Sequence, residues 1–209
     1  MGRSLAAHRV ALGMAAAMAC TMTLSPPAVA HEEVPCRSSA GTTTIAHSKH
    51  ARIFEDHRNQ NDYACLYSNG HPRLLSPSEH YGYPIVRFAG PYVAFVPTTR
   101  SAREGNVWVM DLRTGHKHSY VEVQTIENGL CGEAVSLVLK SDGAVAWTAR
   151  NYLEGCPHSP PPTVEVRVHD RHGLRVLESA AGIVPTSLHI SGSTVSWVNG
   201  GSTHTATLY

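Results

Sequence analysis

Two histidines one residue apart, His116 and His118, bracket Lys117. In an extended strand that spacing sends both imidazoles to one face, within reach of a single metal ion. No third ligand follows from the sequence, and alternating histidines on a solvent face are commonly bystanders. His31 is a different candidate. Cleavage after Ala30 would make it the N-terminal residue, and a free amine with its own imidazole is an N-donor set suited to Cu(II). Small residues precede cleavage in most exported chains whatever follows, which weakens that reading. Glu32-Glu33, Glu55-Asp56 and Asp62 offer the paired carboxylates that glycoside hydrolysis needs, although acids beside turns are usually just solvated. There is no Gly-x-Ser-x-Gly elbow, and Ser191-Gly192-Ser193 reads as a hairpin turn. No cofactor is expected.

Recognition is the other chemistry on offer. Three long links, 55–62, 97–106 and 149–163, carry Arg58, Arg100, Arg103, Arg150 and Tyr152, residue types favoured where proteins bind partners. Pro157 to Pro162 stiffens the longest link and lowers the cost of ordering it.

The elements that must position these residues are strands. The segments 91–97, 143–149 and 193–198 resemble one another, with Ala94, Ala146 and Ser196 in matching places, and 52–54 is a weaker copy. A second strand-like element follows each of the first two copies, at 106–111 and 163–170, and each of these meets a turn at 113–115 or 171–173. Residues 63–67 before Asn69-Gly70 fit the same slot. A period of about 40–50 residues with several strands per unit marks propellers and related arrays. Val164, Val166 and Val168 alternate with Glu165, Arg167 and His169, the period-two pattern of a strand. Asn69-Gly70 and Asp142-Gly143 are hairpin signals. About fifteen strands are expected, in four antiparallel meanders at roughly 42–77, 84–123, 134–179 and 184–209, the last lacking a fourth strand. The fold class is therefore all-β, a small or incomplete β-propeller, with a β-sandwich or open twisted sheets as the alternative. Propellers often close by borrowing a strand from the other terminus, which would seat the strand ending at Tyr209.

The first thirty residues read as a signal peptide. Arg3, His8 and Arg9 precede an uncharged run, Val10 to Cys20, and Ala28-Val29-Ala30 offers the small-x-small cleavage pattern. That run is shorter than the ~20 residues a membrane span needs. A lipid anchor at Cys20 is disfavoured by Ala17, where a branched residue is usual, and the absence of an Arg-Arg pair favours the general export route. Domain organisation is then 1–30 signal peptide and 31–209 a single propeller-like domain, secreted and with no membrane insertion after cleavage. Of the 17 Lys and Arg, Arg3 and Arg9 fall in the signal segment, while all 16 Asp and Glu lie beyond it. That near balance argues against a nucleic-acid or anionic-membrane partner. Thirteen of the 14 histidines remain after residue 30, so acid should turn the surface cationic.

Four cysteines follow the cleavage point, Cys36, Cys65, Cys131 and Cys156. An even count in an exported chain implies two disulfides. Of the three pairings, Cys36–Cys65 and Cys131–Cys156 keep each bridge inside one meander, where a residue before the first strand and one in or after the second-to-third link meet at one edge. Each bridge would be worth roughly 3 kcal/mol. A zinc site is a poor rival, since no Cys-x-x-Cys spacing occurs.

The segments 187–201, 137–147 and 87–95 resemble secreted β-repeat proteins of actinobacteria, TolB-like and propeller-like in style, but without the Gly-His and Trp-Asp marks of WD40 units. The resemblance implies fold and export and carries no functional residue. The expected function is a secreted, non-catalytic binding or scaffold module using its long-link edge, with an extracellular protein, peptide or glycan as partner. The alternative is a metal-binding protein or metal-dependent hydrolase using His31 or His116/His118. A purely structural envelope protein is a third reading.

Overall fold

Alternating side chains along short extended segments need a partner on each edge for their backbone groups, and here hairpins supply it. The computed structural model describes residues 36–37, 39–76, 82–97, 106–121, 130–153 and 163–209. They lie in one compact unit, Glu33–Tyr209. Fifteen strands are present among them. The first sheet holds β1 (Thr42–His47), β2 (Ala51–Asp56), β3 (Asn61–Leu66) and β4 (Arg73–Ser76); the second, β5 (Ile85–Ala89), β6 (Tyr92–Val96), β7 (Asn106–Asp111) and β8 (Lys117–Val121). The third holds β9 (Leu130–Leu139), β10 (Val145–Leu153), β11 (Val164–Asp170) and β12 (Gly173–Ala180); the fourth, β13 (His189–Ser191), β14 (Thr194–Asn199) and β15 (Ser202–Thr207). Every pairing is antiparallel between consecutive strands. The fold is all-β and propeller-like, and among the described residues it contains no helix. The repeated segments of the sequence are β6, β10 and β14, with β2 as the weaker copy.

Three apolar layers hold the sheets in series. Ala51, Ile53 and Ala64 of the first sheet meet Val93, Phe95 and Met110 of the second. Val107 and Val109 of the second meet Val145 and Trp147 of the third. Val164, Val166 and Val168 of the third meet Val195, Trp197 and Leu208 beside the fourth. The second and third strands of the two middle sheets are largely buried because a sheet between two others has no solvent face, whereas β15 of the last sheet is mostly exposed. The turns are set locally by side chains that accept from the amide two residues on: Asp56 from Arg58, Asp111 from Arg113, Asp142 from Ala144 and Asp170 from His172.

The Cys36–Cys65 disulfide is present, with Cα atoms 5.8 Å apart, but it is reached by a different route from the one expected. Cys65 is paired across from Arg52, near the far end of β3. The segment before β1 therefore runs across the outer face of the first sheet. Arg52 is buried under it, donating from Nη2 to the Arg37 carbonyl (2.9 Å) and from Nη1 to Thr44 Oγ1 (3.0 Å), with its guanidinium 4.1 Å from the Phe54 ring centroid. Cys156 lies outside the described residues, so the Cys131–Cys156 pairing does too.

Three further expectations need correction. The 55–62 link is a tight turn of four residues between Asp56 and Asn61, because Asp56 accepts from Arg58 N and closes it. In the 149–163 link, β10 continues to Leu153, paired with β9 down to Leu130, so Arg150 and Tyr152 stand on a strand. The C-terminal strand is not lent to the first sheet: β15 pairs with β14 as the third strand of its own sheet, and no strand is shared between the ends of the described chain. The C-terminus is nonetheless seated. Leu208 is fully buried, and its N–H donates to the Ser193 carbonyl at 2.8 Å.

Candidate functional site

Meander topology fixes two edges. First-to-second and third-to-fourth turns share one; second-to-third links and sheet-to-sheet connections share the other. A cavity of about 950 Å³ opens at the first of these, where the outer strands of the second and third sheets splay apart above their shared core and the chain end closes one side. Ligand sites run to about 300–1,000 Å³.

Period-two alternation supplies its walls. Val109 pairs with His118, and Val107 with Tyr120, so β8 points His118 and Tyr120 at the third sheet. From that sheet, His169 sits opposite Val145 and points back. Tyr120 is stacked on His169 at 4.0 Å between centroids, with the Trp147 ring at 6.3 Å. His116 meets His118 edge-on at 4.3 Å. Tyr92 is held from two sides. Arg113 donates to its hydroxyl at 3.2 Å and lies over its ring, and Gly143 packs so close that a Cβ there would fall 2.9 Å from the ring.

Among the described residues, the side-chain carboxylates around the cavity are all engaged. Asp170, with no side-chain exposure, accepts from Arg175 at 2.6 and 2.8 Å, from the His172 N–H and from the Tyr209 N–H at 2.9 Å. The Arg175 guanidinium holds its carboxyl well below the ordinary range, against the opposing effect of burial. Asp111 is likewise held down, chiefly by its bonds from Arg113. Burial pushes the Asp142 carboxyl up, but Lys140 at 2.9 Å and the Ala144 N–H outweigh it. The Lys140 ammonium also donates to the Leu208 carbonyl at 3.2 Å. Arg171 stands over the Tyr209 ring at 4.9 Å. His169 is pushed down, first by burial and then by the nearby His118, with Asp170 pulling the other way.

Such a wall can bind through histidine, tyrosine and hydroxyl groups. It offers no free carboxylate pair for glycosidic chemistry. Among the described residues, no group of three or more His, Cys, Asp or Glu is placed to hold a metal ion. His116 and His118 do share a face, as their spacing implies, but nothing described completes a ligand set.

The other candidates lie elsewhere. Arg58 sits in the β2–β3 turn and is bound to Asp56 at 3.1 Å. Arg150 faces Glu133 across the β9–β10 ladder, Nη1 to Oε1 at 3.3 Å. Tyr152 lies on β10 opposite Cys131. Arg100, Arg103 and His31 fall outside the described residues. The structure thus brings His116 and His118 to the cavity and leaves Arg58, on the opposite edge, in an ion pair. Tyr92, His169, Asp170, Arg171 and Tyr209 were not singled out by their residue types. The signal that could have found them is position: each stands at a strand end next to a first-to-second or third-to-fourth turn, or at the chain end beside them.

No family model matches the chain, and no curated protein does. Solved structures similar to it include a prolyl endopeptidase, from work on inter-domain dynamics in the catalysis and specificity of two such enzymes. It is 16% identical with a TM-score of 0.43, over 80% of this chain and 29% of that one. The N-terminal domain of Nup159 is 12% identical with a TM-score of 0.37, over 77% of this chain and 39% of that one. The chain thus spans well under half the length of either. The likeness transfers no residue and no activity, and the fold stands on the four sheets themselves.

Proposed function

We propose that the chain is a secreted, non-catalytic binding module that takes part of an extracellular protein, peptide or glycan into the cavity between its second and third sheets. One observation carries this: a cavity of about 950 Å³ walled by tyrosines and histidines, in which each described side-chain carboxylate is already bound to a cation of the protein. Those carboxylates are not free to act as catalytic acids, and tyrosine and histidine walls suit recognition. Export is supported by the signal-like first thirty residues and by the Cys36–Cys65 disulfide, which suits an oxidising compartment. No helix among the described residues is long and apolar enough to cross a membrane.

The test is capture on arrays of extracellular peptides and glycans, using protein recovered from the medium after expression with residues 1–30. Wild type should retain a defined ligand. The double variant His118→Ala/His169→Ala should lose it, while Arg58→Ala/Arg150→Ala should keep it. The reverse pattern would move the site to the link edge with Arg58, Arg100, Arg103, Arg150 and Tyr152.

A further inference from the structure

The wall of the cavity also assigns the charge of what enters it; this inference rests on the cavity being the binding site. We infer that the ligand is an acidic glycan, held more tightly in mildly acidic medium than at neutral pH by His118, His169 and Arg171.

Charge accounting comes first. From the β7–β8 side, Asp111 is closed against Arg113. From the β9–β10 turn, Asp142 is closed against Lys140. From the β11–β12 side, Asp170 is closed against Arg175, with the exposed His172 at 3.9 Å from the same carboxylate. These pairs cancel. Among the described side chains, what remains is Arg171, over the face of Tyr209, together with His116, His118 and His169. Those side chains include no unpaired carboxylate, and any proton the imidazoles take up adds positive charge to the wall.

Proton and ligand are then linked. His169 resists protonation because it is half-buried and faces His118 across the seam. An anion lodged between the two offsets both through its charge, so binding draws protons onto the imidazoles, and acidification in turn tightens binding. A sugar is favoured over a peptide by the rest of the wall. Ser193 and Thr207, both exposed, line the cavity with the histidines. Groups that both donate and accept match a polyhydroxyl ligand.

The experiment is calorimetric titration of the secreted protein with tetragalacturonate at pH 7.5 and 5.5, in buffers of differing ionisation heat. Affinity should rise about tenfold at the lower pH, with net proton uptake, the equivalent of about one unit of pKa shift in the site. His118→Gln should flatten that dependence while melting like wild type at pH 7.5. Arg171→Gln should weaken binding at both values. Three outcomes overturn the inference. Maltotetraose binding as tightly as tetragalacturonate at both pH values would show a cavity that binds without regard to charge, leaving the function proposed above intact. Tetraglutamate binding more tightly than the sugar would make the ligand an acidic peptide. No binding of tetragalacturonate at either pH would remove the acidic glycan altogether, and the arrays would then decide separately whether the cavity binds anything.

Discussion

Asp170 carries more of the site than any other single side chain. It joins the end of β11 to Arg175 on β12 and to the last peptide N–H of the described chain. Asp170→Asn leaves a buried, cation-facing amide where a carboxylate stood, and should cost about 3 kcal/mol in denaturant unfolding. Its pH signature has a definite sign. The folded carboxyl lies below its ordinary value, so its stabilisation is complete above about pH 4 and is lost as pH falls further toward the folded value. His169 works in a higher window. Its folded value is also depressed, so its contribution is complete above about pH 6.5 and declines as the medium is acidified below that. His169→Gln should therefore flatten the unfolding midpoint between pH 7 and 5. The alternation 164–169 was legible as a strand but not as two packed faces. Val164, Val166 and Val168 enter one core, while His169 and Arg167, on the side that looked like solvent, face the second sheet. Period two says which residues share a face, and says nothing of what lies opposite.

At the scale of elements, sequence and structure agree where the signal is local. The copies around Ala94 and Ala146 are second strands because a central strand between two cores demands small and apolar residues in a fixed order, and the copy around Ser196 keeps that order against one core. Link lengths were less legible. Residues 57–60 look like polar loop but form a turn, and nothing in the residue types of 149–153 announces that β10 runs on to Leu153. Gly143 shows how one turn supports the site. Its φ of +94° and its packing on Tyr92 both exclude a side chain, so Gly143→Ala should lower stability by about 1–2 kcal/mol and displace the tyrosine, visible as a change in its ring resonances. The disulfide pins the segment that covers the first sheet. Cys36→Ser/Cys65→Ser should lower stability by about 3 kcal/mol, read by the denaturant midpoint.

For the whole molecule, the order of sheets matters more than closure. Cores join first to second, second to third and third to fourth, and Trp147, fully buried, anchors the middle one. Trp147→Ala should cost about 3–5 kcal/mol and loosen the seam that the cavity opens from, where an equally large truncation in another core would leave the cavity intact. Two edges exist because meanders have two ends. The sequence drew attention to the edge with long links, since length and arginine content are visible in a linear chain; convergence of short turns from neighbouring sheets is not. The most direct test of where a partner sits is a backbone amide spectrum of the labelled protein with and without the glycan or peptide retained on the arrays. Shifts confined to residues around 116–120, 140–144, 169–172 and 207–209 are expected. Shifts at 57–60 and 149–153, with the former set unmoved, would contradict the account.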